Sequence, residues 1–321
     1  MSLGRHLSGS ARGTSLLRYV AVRFFAALFV LWLIVTASFF LLRSVPGGPL
    51  DEMRRLPPSV QANAEQRWGL DRPLGEQYGE ALVAAVTFDF GPSFSHGGQF
   101  EVRELIAHGL EVSLELGLYA TVFALFFGIG GGLFGAARPG GLGDRLSTPL
   151  ALGGVAVPSI VLAPLLLLAF STGLGWFPQS GWEGWQSKVL PTISLGLVFA
   201  AALSRLTRSA MGEVLSQPHV RAARARGLTE RRILWQHGLR LGAGPVLGYL
   251  GPALAGVLTG SVIVERLYNI PGVAEHFIAG AQARDYPLVL GVVVLYSTLL
   301  LALNLLVDLV HAALDPRLRH E

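Results

Sequence analysis

Apolar residues run through this chain in long unbroken stretches, and the polar ones gather between them. A hydrocarbon core about 30 Å thick needs roughly 20 apolar residues in helix. Phe24–Leu42, Leu116–Ala137, Leu146–Phe170, Leu241–Val264 and Tyr286–Val307 each meet that length without a charged side chain. A sixth run, Val189–Ser204, is short, but Lys188 and Arg205 at its ends can snorkel to the headgroups and let it cross. With their flanks these runs predict an all-α polytopic protein with six transmembrane helices, at about residues 19–43, 111–137, 146–172, 188–207, 241–265 and 286–310. Arg12, Arg18 and Arg23 precede the first run as they would in a signal peptide. Its apolar stretch is longer than the usual h-region and lacks a small-residue cleavage site, so it is read as a span.

The polar segments orient the spans. Between the fourth and fifth lie Arg208, Arg221, Arg224, Arg226, Arg231, Arg232 and Arg240 against only Glu213 and Glu230, which places that face in the cytoplasm by the positive-inside rule. Six spans then put both termini, about residues 1–18 and 312–321, on the same side. The segment after the first span, about 44–106, is rich in Asp and Glu and is read as extracytoplasmic. It opens with Val45-Pro46-Gly47-Gly48-Pro49, which breaks the helix. Two amphipathic stretches follow, Ser59–Trp68 and one ending near Thr87, separated by a turn at Leu70–Leu74. A solvated connection and a lid or docking surface are both open readings of that segment.

Composition agrees with a bilayer setting: 51% of the 321 residues are hydrophobic and 14% are charged. The net charge of +4 is too small and too dispersed for phosphate tracking, so no nucleic-acid partner is expected. Cysteine is absent, which excludes disulfides, thiolate-held metals and a cysteine nucleophile. Gly128 and Gly132, Gly131 and Gly135, and Gly256 and Gly260 have the GxxxG spacing that lets helix backbones approach, and are read as packing positions. Pro158, Pro164 and Pro252 lie inside runs and are read as kinks, either plain shape or hinges.

The stretch from Gln217 to Leu239 reads as two short helices around a turn. Pro218 suits a first helical position, Ala222, Ala223 and Ala225 favour helix, and Gly227 can stop it in the left-handed conformation. Thr229 is placed to cap the second helix, with Glu230 near its positive end. A helix with small alanines on one face can enter a groove on another protein, whereas an Arg-rich helix can equally lie on anionic headgroups. Chemistry alone leaves both open.

Arg221-Ala222-Ala223, followed by three residues and Gly227, with His237 and Leu239 beyond, resembles the cytoplasmic EAA loop of ABC importer permeases. Arg221 replaces that motif's acidic first residue, and Arg240 stands where many members have proline. The resemblance extends along the chain through Pro46-Gly47, Gly69–Leu74, Asp89–Phe94, Val157-Pro158-Ser159, Gly251-Pro252-Ala253, Asn269–Val273, Arg284-Asp285-Tyr286 and Leu314–Arg317, and points to the B-type permease of oligopeptide importers. It implies a type I importer permease fold over about residues 107–311, with a coupling loop at 217–239 whose Arg221, Ala222, Ala223, Arg224, Arg226, Gly227, Thr229, His237 and Leu239 meet an ATPase. The implied partners are a C-type permease in a heterodimer, two ATPase subunits and an extracytoplasmic peptide-binding protein. The implied substrates are oligopeptides, with dipeptides, nickel chelates or glutathione as alternatives.

No Gly-Lys-[Ser/Thr] is present to wrap phosphates, since the only lysine, Lys188, follows Ser187. The chain is therefore expected to hold no cofactor and to be no enzyme, with ATP and magnesium bound by the partner ATPases. A proton-coupled carrier would need ionisable groups near the midplane, whereas Glu111, Glu115, Glu265, Arg266 and Asp308 fall toward span ends. Gly91-Pro92-Ser93-Phe94 is no nucleophile elbow and no HExxH zinc pair occurs. His219 and His237 are read as making local hydrogen bonds.

Overall fold

A computed structural model describes residues 8–46, 48, 58–95, 98–137, 140–145, 153–154 and 157–314. The elements are α1 (Ser8–Ser44), α2 (Pro58–Arg67), α3 (Leu74–Thr87), α4 (Val102–Ala137), α5 (Ser159–Leu166), α6 (Gly184–Leu215), α7 (Pro218–Ala225), α8 (Glu230–Ile233), α9 (Arg240–Leu267), α10 (Val273–Gln282) and α11 (Tyr286–Leu314). The only strand-like pairing among the described residues is a single bridge between Pro92 and Glu101. Among the described residues five helical segments are long and apolar enough to cross a membrane: Val20–Ser44, Val102–Ala137, Gly184–Leu215, Leu241–Leu267 and Tyr286–Val310.

The third expected span, about 146–172, falls partly outside the described residues: 146–152 and 155–156 are not described, 153–154 are helical, and α5 runs from Ser159. Pro158 sits before it in extended backbone (φ −60°, ψ 147°), so it starts α5 and does not kink it. Pro164 is inside α5, which widens directly afterwards into a π-helical turn, Leu167–Gly173. Pro252 lies inside α9 together with Pro245. The short sixth run is part of the long α6, because Lys188 is neutralised where it stands and need not mark the helix end.

Two compact units divide the chain. The first takes residues 1–111, 272–305 and 315–321. Within it Val102 and Ile106 of α4 pack with Val273 of α10 and with Leu288, Val292 and Leu295 of α11. Asp285 is fully buried and organises the turn between α10 and α11: it accepts from Ser93 Oγ (2.6 Å), Ser95 N (2.9 Å) and Ser95 Oγ (2.8 Å), and its other oxygen accepts from Leu288 N (3.1 Å). The helix before it closes with paired bonds, Asp285 N to Gly280 O (2.8 Å) and Arg284 N to Ala281 O (3.4 Å), which force Arg284 to φ 54°. The motif Arg284-Asp285-Tyr286 is thus a helix stop and a helix start in three residues.

The second unit takes residues 112–271 and 306–314. Its α6 is the central post. Between membrane helices there is no hydrophobic drive, so close van der Waals contact must hold them. A Cβ on Gly128 would lie 2.7 Å from Leu203 Cβ and 2.8 Å from Ala200 O, and one on Gly132 would lie 2.5 Å from Thr207 Cβ and 2.6 Å from Ser204 O. The backbone of α4 therefore touches that of α6 directly. Gly131 faces Ser204, Gly135 is buried, and on α9 Gly256 lies against the Phe199 ring and Gly260 against Leu195. Glu115 accepts from Tyr119 Oη (2.7 Å), Trp182 Nε1 (2.7 Å) and Lys188 Nζ (2.6 Å). It lies well inside α4, because that helix starts at Val102 and not near 111. A carboxylate committed to three donors is a structural tie. Tyr268, 1% exposed, pairs with Ser194 Oγ (2.8 Å) and donates to Ala163 O (3.3 Å), joining the end of α9 to α6 and α5.

Candidate functional site

The turn that follows α6 is built by the restrictions of one proline. A residue before proline is pushed out of the helical region, and Gln217 is extended (φ −69°, ψ 151°), which redirects the chain into α7 with Pro218 at its first turn. Val220 and Ala223, three apart and so on one face, are buried against Met211 and Leu215 of α6, Ile233 of α8 and Ala136 of α4. His219, Ala222, Ala225 and Arg226 are exposed on the other side. The alanines are thus divided: Ala223 seats the helix on its own protein, and only Ala222 and Ala225 offer a small-residue surface outward.

Gly227 stops α7 at φ 79°, with Leu228 N bonded to Ala223 O (3.3 Å) and Gly227 N to Arg224 O (2.9 Å), the paired closure that favours glycine. Thr229 has the extended backbone of a cap (φ −70°, ψ 145°), but its side chain makes no capping bond. Two arginines tie the knob down. Arg221 donates from Nε (3.3 Å) and Nη2 (3.1 Å) to Ser216 O, satisfying a carbonyl left open at the end of α6. Arg224 grips Glu230 with two bonds, Nε to Oε1 (2.8 Å) and Nη2 to Oε2 (3.2 Å), and also reaches Leu215 O (3.4 Å). The Arg224 guanidinium holds the Glu230 carboxyl below the usual carboxylate range.

That ion pair makes a checkable prediction. A depressed carboxyl contributes stability above its unfolded value and loses it as pH falls through the folded one. Both partners are largely exposed, so the gain is about 0.5 kcal/mol. Glu230→Gln is expected to raise amide exchange in α7 at neutral pH, with the difference from the parent disappearing as pH falls below the carboxylate range.

Beyond α8 the helix does not end. Leu234–Leu239 forms a π-helical turn that leads straight into α9, so residues 230–267 are one continuous rod. Gly238 and Gly242 bring this rod against Met211, whose sulfur and methyl would lie 3.1 Å and 2.6 Å from an added Cβ. Leu239 packs into the same cluster as Val220 and Ala223. The side chains of His237 and Arg240 lie outside the described residues. Met211, Leu215 and Ile233, which form the seat, are apolar positions whose role no periodicity distinguishes from ordinary core. The role of Glu230 was visible only in part, since a bond six residues back across a glycine turn is not a helix-face spacing.

The site offers shape and positive charge. Among the described residues no cluster of three His, Asp or Glu is placed to hold a metal. Its geometry is that of a rigid knob bolted to the ends of α4 and α6 and continuous with α9.

The arrangement belongs to a known class of membrane component. The fold is that of type I ABC importer permeases: the MetNI methionine ABC transporter in an inward-facing conformation aligns with a TM-score of 0.56 at 17% identity, covering 66% of this chain and 97% of that one. An amino acid ABC transporter aligns with a TM-score of 0.53 at 16% identity, covering 66% and 94%. Residues 128–320 match the family of binding-protein-dependent transport system inner membrane components, and this chain belongs to that family. It is 39% identical to the oligopeptide transport system permease protein OppB of Haemophilus influenzae, over 95% of this chain and all of that protein. The same identity relates it to OppB of Escherichia coli strain K12, over 95% and 100%. The dipeptide transport system permease protein DppB of Bacillus subtilis is also 39% identical, over 94% and 98%. The chain is a multi-pass membrane permease of peptide-transport type.

Proposed function

We propose that this chain forms half of the translocation pathway of an ATP-driven importer of oligopeptides, and that α7 is where the driving force enters. The observation that carries this reading is mechanical: α7 is seated by Val220 and Ala223 on the ends of α4 and α6 and against Ile233 of α8, which runs without a break into α9. A push on the outer face at Ala222 and Ala225 is therefore delivered to three membrane helices together. The small side chains leave that face shallow enough to enter a cleft.

In this reading two ATPase subunits bind ATP and magnesium, and one of them grips α7 from the cytoplasm. A C-type permease completes the pathway, and an extracytoplasmic binding protein delivers the peptide. Both termini lie in the cytoplasm, on the side of Arg221, Arg226 and Arg231. Closure of the ATPases moves α7, and the movement of α9 against α6 switches the pathway between its two openings. The names of the relatives support peptides as substrates, and the equal identity to OppB and DppB proteins makes dipeptides the second reading.

Ala222→Trp and Ala225→Trp test the proposal. Both positions are exposed, so insertion and folding are expected to be retained. Peptide-stimulated ATP hydrolysis of the reconstituted importer is expected to fall at least tenfold. Full stimulation in both variants would remove α7 from the coupling path.

A further inference from the structure

The extracytoplasmic segment carries a helix whose surroundings do not match water. α3 begins with charges, Glu76 and Glu80, and then runs without any from Ala81 to Phe88. Val83 is 62% exposed, Val86 84% and Phe88 42%. The opposite face is packed: Ala85, with Ala81 and Leu82, joins Val35 of α1 and Leu290 and Val294 of α11. Tyr78 bonds Thr36 (2.8 Å) and packs edge-on against Phe39, and Gln77 accepts from Arg43 (2.8 Å).

Those contacts give a depth. The charge-free run of α1, Phe24–Leu42, is about 28 Å long at 1.5 Å per residue, which matches the hydrocarbon thickness and leaves no slack. Arg43 then marks the outer boundary, and Phe39 and Val35 lie about 6 and 12 Å inside it. The run of α11 starts at Tyr286, so Leu290 and Val294 lie about 6 and 12 Å inside. Two independent rulers place the charge-free half of α3 at the same level, within the outer leaflet.

We infer that α3 is an interfacial helix sunk into the outer leaflet, with Val83 and Val86 against lipid acyl chains. Its charged first turn stands at headgroup level, where Arg43 and Glu80 also sit. Asp89, directly after the apolar half, lines a cavity of about 380 Å3 whose wall includes Arg43 and Gln77, which gives its carboxylate a polar outlet. Interfacial helices bury their apolar face by about 5–10 Å, and the exposed apolar face of α3 continues that of α1 at Phe40 and Leu41. The rival placement leaves α3 in water, in company with the exposed Glu104 and Glu111 at the start of α4.

The absence of cysteine makes the test direct. Single variants Glu76→Cys, Val83→Cys, Val86→Cys and, as a reference within α1, Phe29→Cys would carry a nitroxide in the full importer complex reconstituted in phospholipid vesicles. Collision with oxygen reports lipid, and collision with a water-soluble nickel chelate reports solvent. Labels at 83 and 86 are expected to follow the reference, with oxygen accessibility several-fold above that of nickel, and the label at 76 to show the reverse. Nickel accessibility at 83 and 86 equal to that at 76 would overturn the inference in favour of a solvated helix. Protection from both reagents would overturn it in favour of a protein partner on that face.

Discussion

Gly132→Ala is expected to destabilise the chain by about 1–3 kcal/mol, the usual cost of forcing extra atoms into a packed site. The new methyl would stand 2.6 Å from the Ser204 carbonyl, which is backbone and has no rotamer to yield. α4 must therefore move away from α6, and Gly128, one turn earlier against Ala200, loses its contact as well. Gly130 supplies the control, since a Cβ there meets nothing within 4 Å. Gly130→Ala is expected to be neutral or to gain up to about 1 kcal/mol from helix propensity. The measurement is the thermal midpoint of the purified protein in detergent. Equal midpoints for the two variants would show that close approach of α4 and α6 is not what holds this unit.

The second large effect is expected at Asp285. Removing its carboxylate takes an acceptor from three donors on the Ser93–Ser95 turn and from the first free N–H of α11. Hydrogen bonds to a charged group are worth about 1.5–3 kcal/mol each, and losses within one network do not add. Asp285→Ala is expected to cost about 3–4 kcal/mol, because Ser93 is fully buried and cannot recover a partner from water. Asp285→Asn keeps one oxygen for the α11 N–H but turns an amide NH2 toward the Ser95 N–H, two donors face to face, so it is expected to recover less than half. Limited proteolysis between Phe88 and Phe100 would report the released turn. An Asn variant as resistant as the parent would mean that the charge is unimportant there.

Much of the architecture was legible because a bilayer imposes a coarse rule: apolar length decides span. Phe24–Leu42, Leu116–Ala137, Leu241–Val264 and Tyr286–Val307 all fall within helices long enough to cross. Its bounds slipped where a distant partner outweighed hydropathy. Val189–Ser204 looked short because Lys188 seemed to end it, but Glu115, distant in sequence, supplies the countercharge and α6 continues back to Gly184.

At the knob, Pro218 and Gly227 marked both ends of α7 because each acts through its own backbone limits. What could not be read was which way the side chains face. Four candidates in a row, Arg221, Ala222, Ala223 and Arg224, fill every direction around a helix, and only the seat formed by Met211, Leu215 and Ile233 decides between inner and outer. The arginines illustrate the same point. Their sequence spacing fits headgroups or a protein groove, while Arg221 and Arg224 are spent on Ser216, Leu215 and Glu230 within the chain.

The widened turn at Leu234–Leu239 sets a condition on the rod that it interrupts. A π-helical turn holds one residue more than ordinary pitch requires, and each residue of an α-helix carries its neighbours around the axis by about 100°. The azimuth at which Gly256 and Gly260 meet Phe199 and Leu195 is therefore phased to the cytoplasmic knob by a single surplus residue. The length of that turn is constrained far more tightly than its composition.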